Sequence, residues 1–154
     1  MKTQQVQTEA EIDMIRSLFR EYEAFLNVDL CFQGFEKELA RLPGKYSPPD
    51  GALLLGLIGD EAVGCVALRK IDEGVCEMKR LYVNPTARGT GLGRKLVDDI
   101  IAIARARGYA LMRLDTLDTL TEAMNLYQRL GFRQIAPYYE NPLPGAIYWE
   151  LTLS

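Results

Sequence analysis

The sequence predicts an α+β (mixed α/β) fold on three observations. Apolar residues recur at helical spacing through the opening part of the chain, strand-like apolar runs broken by tight turns fill the middle, and glycine-terminated helices alternate with strands after it. The expected order is ααβββαβαββ.

Each element has its own signal. In "AEIDMIRSLFREYEAFL", Ile12, Ile15, Leu18, Phe19, Tyr22 and Leu26 mark one face of an amphipathic helix, and "FEKELARL" is a shorter second one. The run "LPGKYSPPDG" concentrates Pro, Gly, Ser and Asp and reads as a loop. "ALLLGLI", "AVGCVALRKI" and "VCEMKRLYV", broken by "GDE" and "DEG", predict a three-stranded antiparallel meander ending at Val83. Leu96, Val97, Ile100, Ile101 and Ala104 then form a helical stripe that stops at Gly108. "YALMRLDTL" is a strand. Thr119 and Glu122 have capping-box spacing and open a helix that ends at Gly131. "FRQI", the loop "APYYENPLPG" and the strand "AIYWELTL" close the chain.

A length of 154 residues, 48% hydrophobic and 25% charged, predicts one soluble globular domain spanning 1–154. The net charge of −3 argues against nucleic acid as the main partner. No run is long enough for a membrane span and the polar start "MKTQQVQTEAE" is no signal peptide, so a cytoplasmic protein is expected. Cys31, Cys65 and Cys76 are an odd number without C-x-x-C spacing and, with Cys65 and Cys76 in apolar runs, are expected to be buried reduced thiols. The absence of histidine excludes Ser-His and Cys-His nucleophiles and a His-based zinc site, and no metal is expected.

Against this acidic background stands "EMKRLYVNPTARGTGLGRKLVDDI". It carries Lys79, Arg80, Arg88, Arg94 and Lys95 with no acid between Met78 and Val97, and glycines at 89, 91 and 93. A strand, a glycine-rich turn and a helix N-terminus together form an anion cradle of backbone N–H groups. The dinucleotide fingerprint fails because Arg94 stands where its third glycine belongs, and the Walker pattern fails because Arg94 and Lys95 follow Gly93. Arg94 and Lys95 in the first helical turn oppose the helix dipole, a misplacement that a bound anion would offset. A solvated surface turn is the alternative.

These residues resemble the GNAT superfamily of acyl-CoA-dependent N-acetyltransferases. The pyrophosphate signature R/Q-x-x-G-x-G/A is met by Arg88, Gly91 and Gly93 after the strand end "RLYVNP", and "EAMNLYQRLGF" matches A-x-x-L-Y-x-x-x-G-F through Ala123, Leu126, Tyr127, Gly131 and Phe132. The asparagine often found seven residues before the tyrosine is replaced by Leu120. The resemblance implies a central mixed, mostly antiparallel sheet flanked by helices on both faces. It also implies acetyl-CoA as cosubstrate, held by Arg88, Gly89, Thr90, Gly91, Leu92, Gly93 and Arg94. The strand Leu81, Tyr82 and Val83 would pair with the pantetheine arm and give an N–H to the thioester carbonyl.

Tyr127 occupies the position of the family's general acid, although spacing alone makes it a core residue beside Ala123, Leu126 and Leu130. Glu77, 11 residues before Arg88, matches a general base of the family's histone-modifying branch. The alternative is an ion pair with Lys79 on an exposed strand face, or a water chain in place of Glu77. Tyr138 and Tyr139 are candidate walls of an acceptor pocket, or tyrosines packed on the sheet edge. The reading is an N-acetyltransferase for a primary amine of a small molecule or amino acid, acting as monomer or homodimer. A non-catalytic acyl-CoA sensor and a protein N-acetyltransferase are the alternatives.

Overall fold

The computed structural model describes residues 1–154, except for the side chain of Phe32. In chain order it forms β1 (Lys2–Gln5), α1 (Glu9–Leu26), α2 (Phe35–Ala40), β2 (Ala52–Ile58), β3 (Glu61–Asp72) and β4 (Val75–Val83). These are followed by α3 (Leu92–Ala106), β5 (Leu111–Leu117), α4 (Thr121–Leu130), β6 (Arg133–Ile135) and β7 (Ala146–Thr152). The expected order holds with one addition. β1, in a polar stretch that shows no strand pattern, pairs antiparallel with β2 from Lys2↔Leu57 to Gln5↔Leu54. An edge strand gains its ladder through backbone groups, so its side chains need not alternate.

The seven strands form one mixed sheet in the order β1-β2-β3-β4-β5-β7-β6, antiparallel throughout except for β4 and β5. Each face of this sheet carries its own core. Ile12, Ile15, Leu18 and Phe19 of α1 and Phe35 and Leu39 of α2 pack with Leu53, Leu55, Cys65 and Ala67. On the other face, Leu92, Leu96, Val97 and Ile100 of α3 and Tyr127 of α4 pack with Leu54, Val66, Met112, Leu114 and Trp149. The alternation of strand residues between the two clusters is the period-two pattern of a sheet covered on both sides.

Local chemistry sets the helix ends. Thr8 Oγ1 accepts from the Glu11 N–H at 3.2 Å and the Glu11 carboxylate accepts from the Thr8 N–H at 3.0 Å, a complete capping box for α1. The box expected at Thr119 does not form. Leu120 N–H bonds to the Leu117 carbonyl at 3.0 Å in the turn leaving β5, so α4 starts at Thr121 with Leu120 as its N-cap and no side-chain cap. Gly131, with φ 97°, ends α4 as expected. The N-terminus of α3 lies close on the sheet because Gly56 and Gly64 have no side chain. A Cβ at Gly56 would meet the Leu92 methyls at 3.0 Å, and one at Gly64 would meet Leu96 at 3.1 Å.

Candidate active site

The site begins where two parallel strands part. β4 has nine residues but pairs with β5 only through Val75↔Leu111, Cys76↔Met112 and Glu77↔Arg113. Beyond that point β5 continues along β7 while β4 turns away. A bulge marks the departure. Cys65 pairs with Tyr82 and Ala67 with Lys79, so Arg80 and Leu81 stand opposite Val66 alone, and Arg80 takes φ 60°. A bulge adds one residue to a strand and bends it. Arg80, 3% exposed, is fixed there by Glu38 of α2 at 2.9 and 3.0 Å and by the rings of Tyr22 and Phe35.

The parting opens two adjoining spaces that share Tyr22, Leu81, Leu120 and Ala123 as lining. The outer one is a groove of about 740 Å³ between the glycine turn, β4 and α4. Leu81, Tyr82, Val83, Arg88, Gly89, Gly91, Leu92, Gly93 and Arg94 all line it. Thr90 does not. Its hydroxyl donates to the Ala87 carbonyl at 2.6 Å and accepts from the Leu92 N–H at 3.3 Å, which shapes the turn from within. Among the described residues the N–H groups of Gly89, Gly91, Gly93 and Arg94 have no protein partner. They gather at the positive end of the α3 dipole, the arrangement that holds phosphate oxygens. Gly89 and Gly91 take φ 81° and 89°, which makes the turn possible. Arg88 donates to the Val83 carbonyl at 3.1 Å and lies 4.4 Å over the ring of Phe25, tying the turn to α1. Arg94 and Lys95 pair with Asp98 and Asp99 at 3.1 and 3.2 Å, so the protein itself offsets part of their unfavourable placement on the dipole.

The inner space is a cavity of about 70 Å³ between the diverging strands, closed by α4, the α1–α2 connection and the β6–β7 loop. Tyr127 reaches it from α4. The residue is 4% exposed and its ring packs 5.4 Å from Phe132 and 6.4 Å from Trp149, yet among the described residues its hydroxyl has no hydrogen-bond partner. Burial, with smaller contributions from Tyr22 and Asp115, pushes its pKa above that of an ordinary phenol. The group therefore stays a neutral O–H donor at physiological pH.

Glu77 lies at the root of the parting and is fully buried. One carboxylate oxygen accepts from Arg69 Nε at 2.8 Å and lies 3.8 Å from Lys79 Nζ; the other accepts from the Tyr138 hydroxyl at 2.5 Å. Burial would raise its pKa, but Lys79, the Tyr138 hydrogen bond and Arg69 together outweigh burial and hold it below the ordinary carboxylate value. The ion pair with Lys79 exists, in the interior and not on an exposed face. Tyr138 and Tyr139 stand one layer behind the cavity wall, with Tyr138 on Glu77 and Tyr139 donating to Asp115. From the same loop, Asn141 and Leu143 reach the cavity itself. Sequence reading missed Asp115 and Asn141, and saw Lys79 only as a cation of the basic stretch and a surface partner of Glu77. Arg113 and Asp115 in "LMRLDTL" alternate with apolar residues and signal only that one face of β5 is polar.

Residues 12–132 match the model of the Acetyltransferase (GNAT) family. The chain belongs to that family. An uncharacterized N-acetyltransferase of Schizosaccharomyces pombe is 45% identical over 94% of this chain and 90% of its own. A GNAT family acetyltransferase from Elizabethkingia anophelis, solved with acetyl-CoA bound, is 26% identical, covering 67% of this chain and 76% of its own with a TM-score of 0.58. An acetyltransferase from Streptococcus agalactiae, 21% identical, has the same fold over 98% of this chain and 97% of its own, with a TM-score of 0.81. As a GNAT protein the chain is an acetyltransferase, and its mixed, mostly antiparallel sheet with helices on both faces is the expected family fold.

Proposed function

We propose that the chain, acting as one domain over residues 1–154, transfers the acetyl group of acetyl-CoA to a primary amine of a small molecule or amino acid. The observation that carries this reading is the continuity of the two spaces: an anion cradle at one end of the groove leads, along the β4 edge that β5 leaves free, to a cavity lined by Tyr127. The free N–H groups of Gly89, Gly91, Gly93 and Arg94 suit a pyrophosphate, and acetyl-CoA is what the Elizabethkingia anophelis relative holds. When bound, acetyl-CoA supplies the activated acyl carbon.

The residues of this chain do the rest. Leu81, Tyr82 and Val83 offer strand edge to the pantetheine arm, and a β4 N–H polarises the carbonyl as oxyanion charge develops. The amine attacks as its free base and loses its proton to water in the cavity. As the carbon–sulfur bond breaks, Tyr127 gives its hydroxyl proton to the departing sulfur. Glu77, with both oxygens engaged and its pKa depressed, is a poor direct base. It serves by holding Tyr138, Arg69 and Lys79 in place. Calorimetry with acetyl-CoA, followed by thiol-release assays over a panel of amines, tests the reading. Acetyl-CoA binding with thiol release on a defined amine is expected; binding without release on any amine would leave a sensor, and no binding would remove the cosubstrate.

A further inference from the structure

The sheet face that surrounds Glu77 carries a balanced set of charges. Arg69, Lys79 and Arg113 oppose Glu77, Asp115 and Glu150, all within the sheet β3, β4, β5 and β7. Two pairs within the set are hydrogen-bonded, Arg69–Glu77 at 2.8 Å and Arg113–Glu150 at 2.9 Å, and Lys79 makes only a looser ion pair with Glu77. Lys79 and Asp115 are left without a hydrogen-bonded charge partner. Lys79 Nζ lies 3.8 Å from the nearest Glu77 oxygen, too far for a hydrogen bond, and that carboxylate is already held by Arg69 and Tyr138. Asp115 is contacted by the neutral donors Tyr139 and Asn141.

These two charges line the inner cavity together with Tyr127. Continuing the register two residues past Glu77↔Arg113 sets Lys79 opposite Asp115 on the same face, but the strands have parted there and the cavity lies between them. A third group points the same way. Gln33, on the cavity wall, has its side-chain oxygen buried without a hydrogen-bond partner among the described residues. Arg80, the other cation of this wall, is consumed by Glu38. Burial lowers the Lys79 pKa, and with Arg80 it outweighs the opposing effect of Glu77 and Asp115, so a ligand anion at Lys79 would stabilise its charged form.

We propose that the acceptor is an amino acid that docks in zwitterionic form, its carboxylate on Lys79 and its ammonium on Asp115 and the Gln33 oxygen beside Tyr127, and that the ammonium gives up one proton to cavity water before attacking as the free amine. This rests on the amine-acetylation reading above. A simple amine would leave Lys79 with no hydrogen-bonded anion in a buried wall, and a simple acid would leave Asp115 without a cation and the Gln33 oxygen without a donor. The zwitterion answers all three at once.

The test compares L-amino acids with their carboxamides, which keep the amine and side chain and lose the anion. Thiol release is measured for wild type and for Lys79→Met. The wild type should prefer the free acids. In Lys79→Met the ratio of kcat/KM for acid over amide should fall about 30-fold or more, the lower end of the cost of removing one partner from a buried charge pair. Lys79→Arg should recover part of the preference. Wild-type use of amides equal to acids, or an equal loss on both in Lys79→Met, would overturn the proposal. Titration calorimetry of the same acids and amides into the complex with coenzyme A keeps the two readings apart. If no amine releases thiol, the enzyme reading fails; the carboxylate site then stands or falls on whether the acids bind more tightly than the amides and lose that advantage in Lys79→Met. Circular dichroism confirms that the variant is folded.

Discussion

Replacing Tyr127 by Phe removes one oxygen from the cavity wall and keeps the ring. The contacts with Phe132 and Trp149, at 5.4 and 6.4 Å, survive because they belong to the ring. With no protein partner for the hydroxyl among the described residues, its loss strands no buried donor or acceptor, and stability should change by no more than about 1 kcal/mol. Turnover should respond quite differently. If the hydroxyl protonates the departing sulfur, kcat should fall by roughly 10² to 10⁴, or about 2.7 to 5.5 kcal/mol in the barrier, with little change in KM for acetyl-CoA. The raised phenol pKa adds a second signature. Wild-type Tyr127 stays protonated, so the ratio of wild-type to variant kcat should be flat between about pH 6 and 9. Thiol release measured in single turnover, where chemistry limits, is the assay. A folded Phe variant with near wild-type single-turnover rate would return Tyr127 to a packing role and refute the reasoning.

Gly91→Glu should abolish acetyl-CoA binding by calorimetry while circular dichroism shows a folded chain, since φ 89° disfavours any side chain and this one brings negative charge to the phosphate cradle. Arg88→Ala and Arg94→Ala should weaken coenzyme A more than pantetheine thioesters lacking its phosphates; equal losses in competition assays would assign both arginines to the fold alone. Glu77→Gln leaves Arg69 and Lys79 facing a neutral group, and denaturant unfolding should show a loss of about 3 to 5 kcal/mol at neutral pH. Because folding depresses the Glu77 pKa, its stabilisation is present above the unfolded value near 4.3 and is lost as pH falls through the lower folded value. The gap between wild type and Glu77→Gln should therefore close on acidification below about pH 4.

The sequence by itself determined the elements whose signals are local. The stripe from Leu96 to Ala104 fixes α3, the glycines at 89 and 91 permit the turn before it, and Gly131 ends α4, because spacing and positive φ are properties of a few neighbouring residues. The groove lining followed with them, since nine residues of one strand end and one turn stay together however the rest folds. Only the tertiary structure decided the inner cavity. β1 depends on a partner some fifty residues away, and the turn at Leu117 to Leu120 overrode the cap expected at Thr119. The Arg80 bulge is invisible in a run that reads as regular strand. The same holds for the charges. Glu77 and Lys79 look like an exposed pair in one strand, but burial depends on what packs above them. Only the assembled sheet sets Arg69, Tyr138 and Asp115 around them. The inner cavity is lined from five separate segments by Gln33, Lys79, Asp115, Tyr127 and Asn141, and no short-range pattern in the chain records how parted strands bring them to one wall.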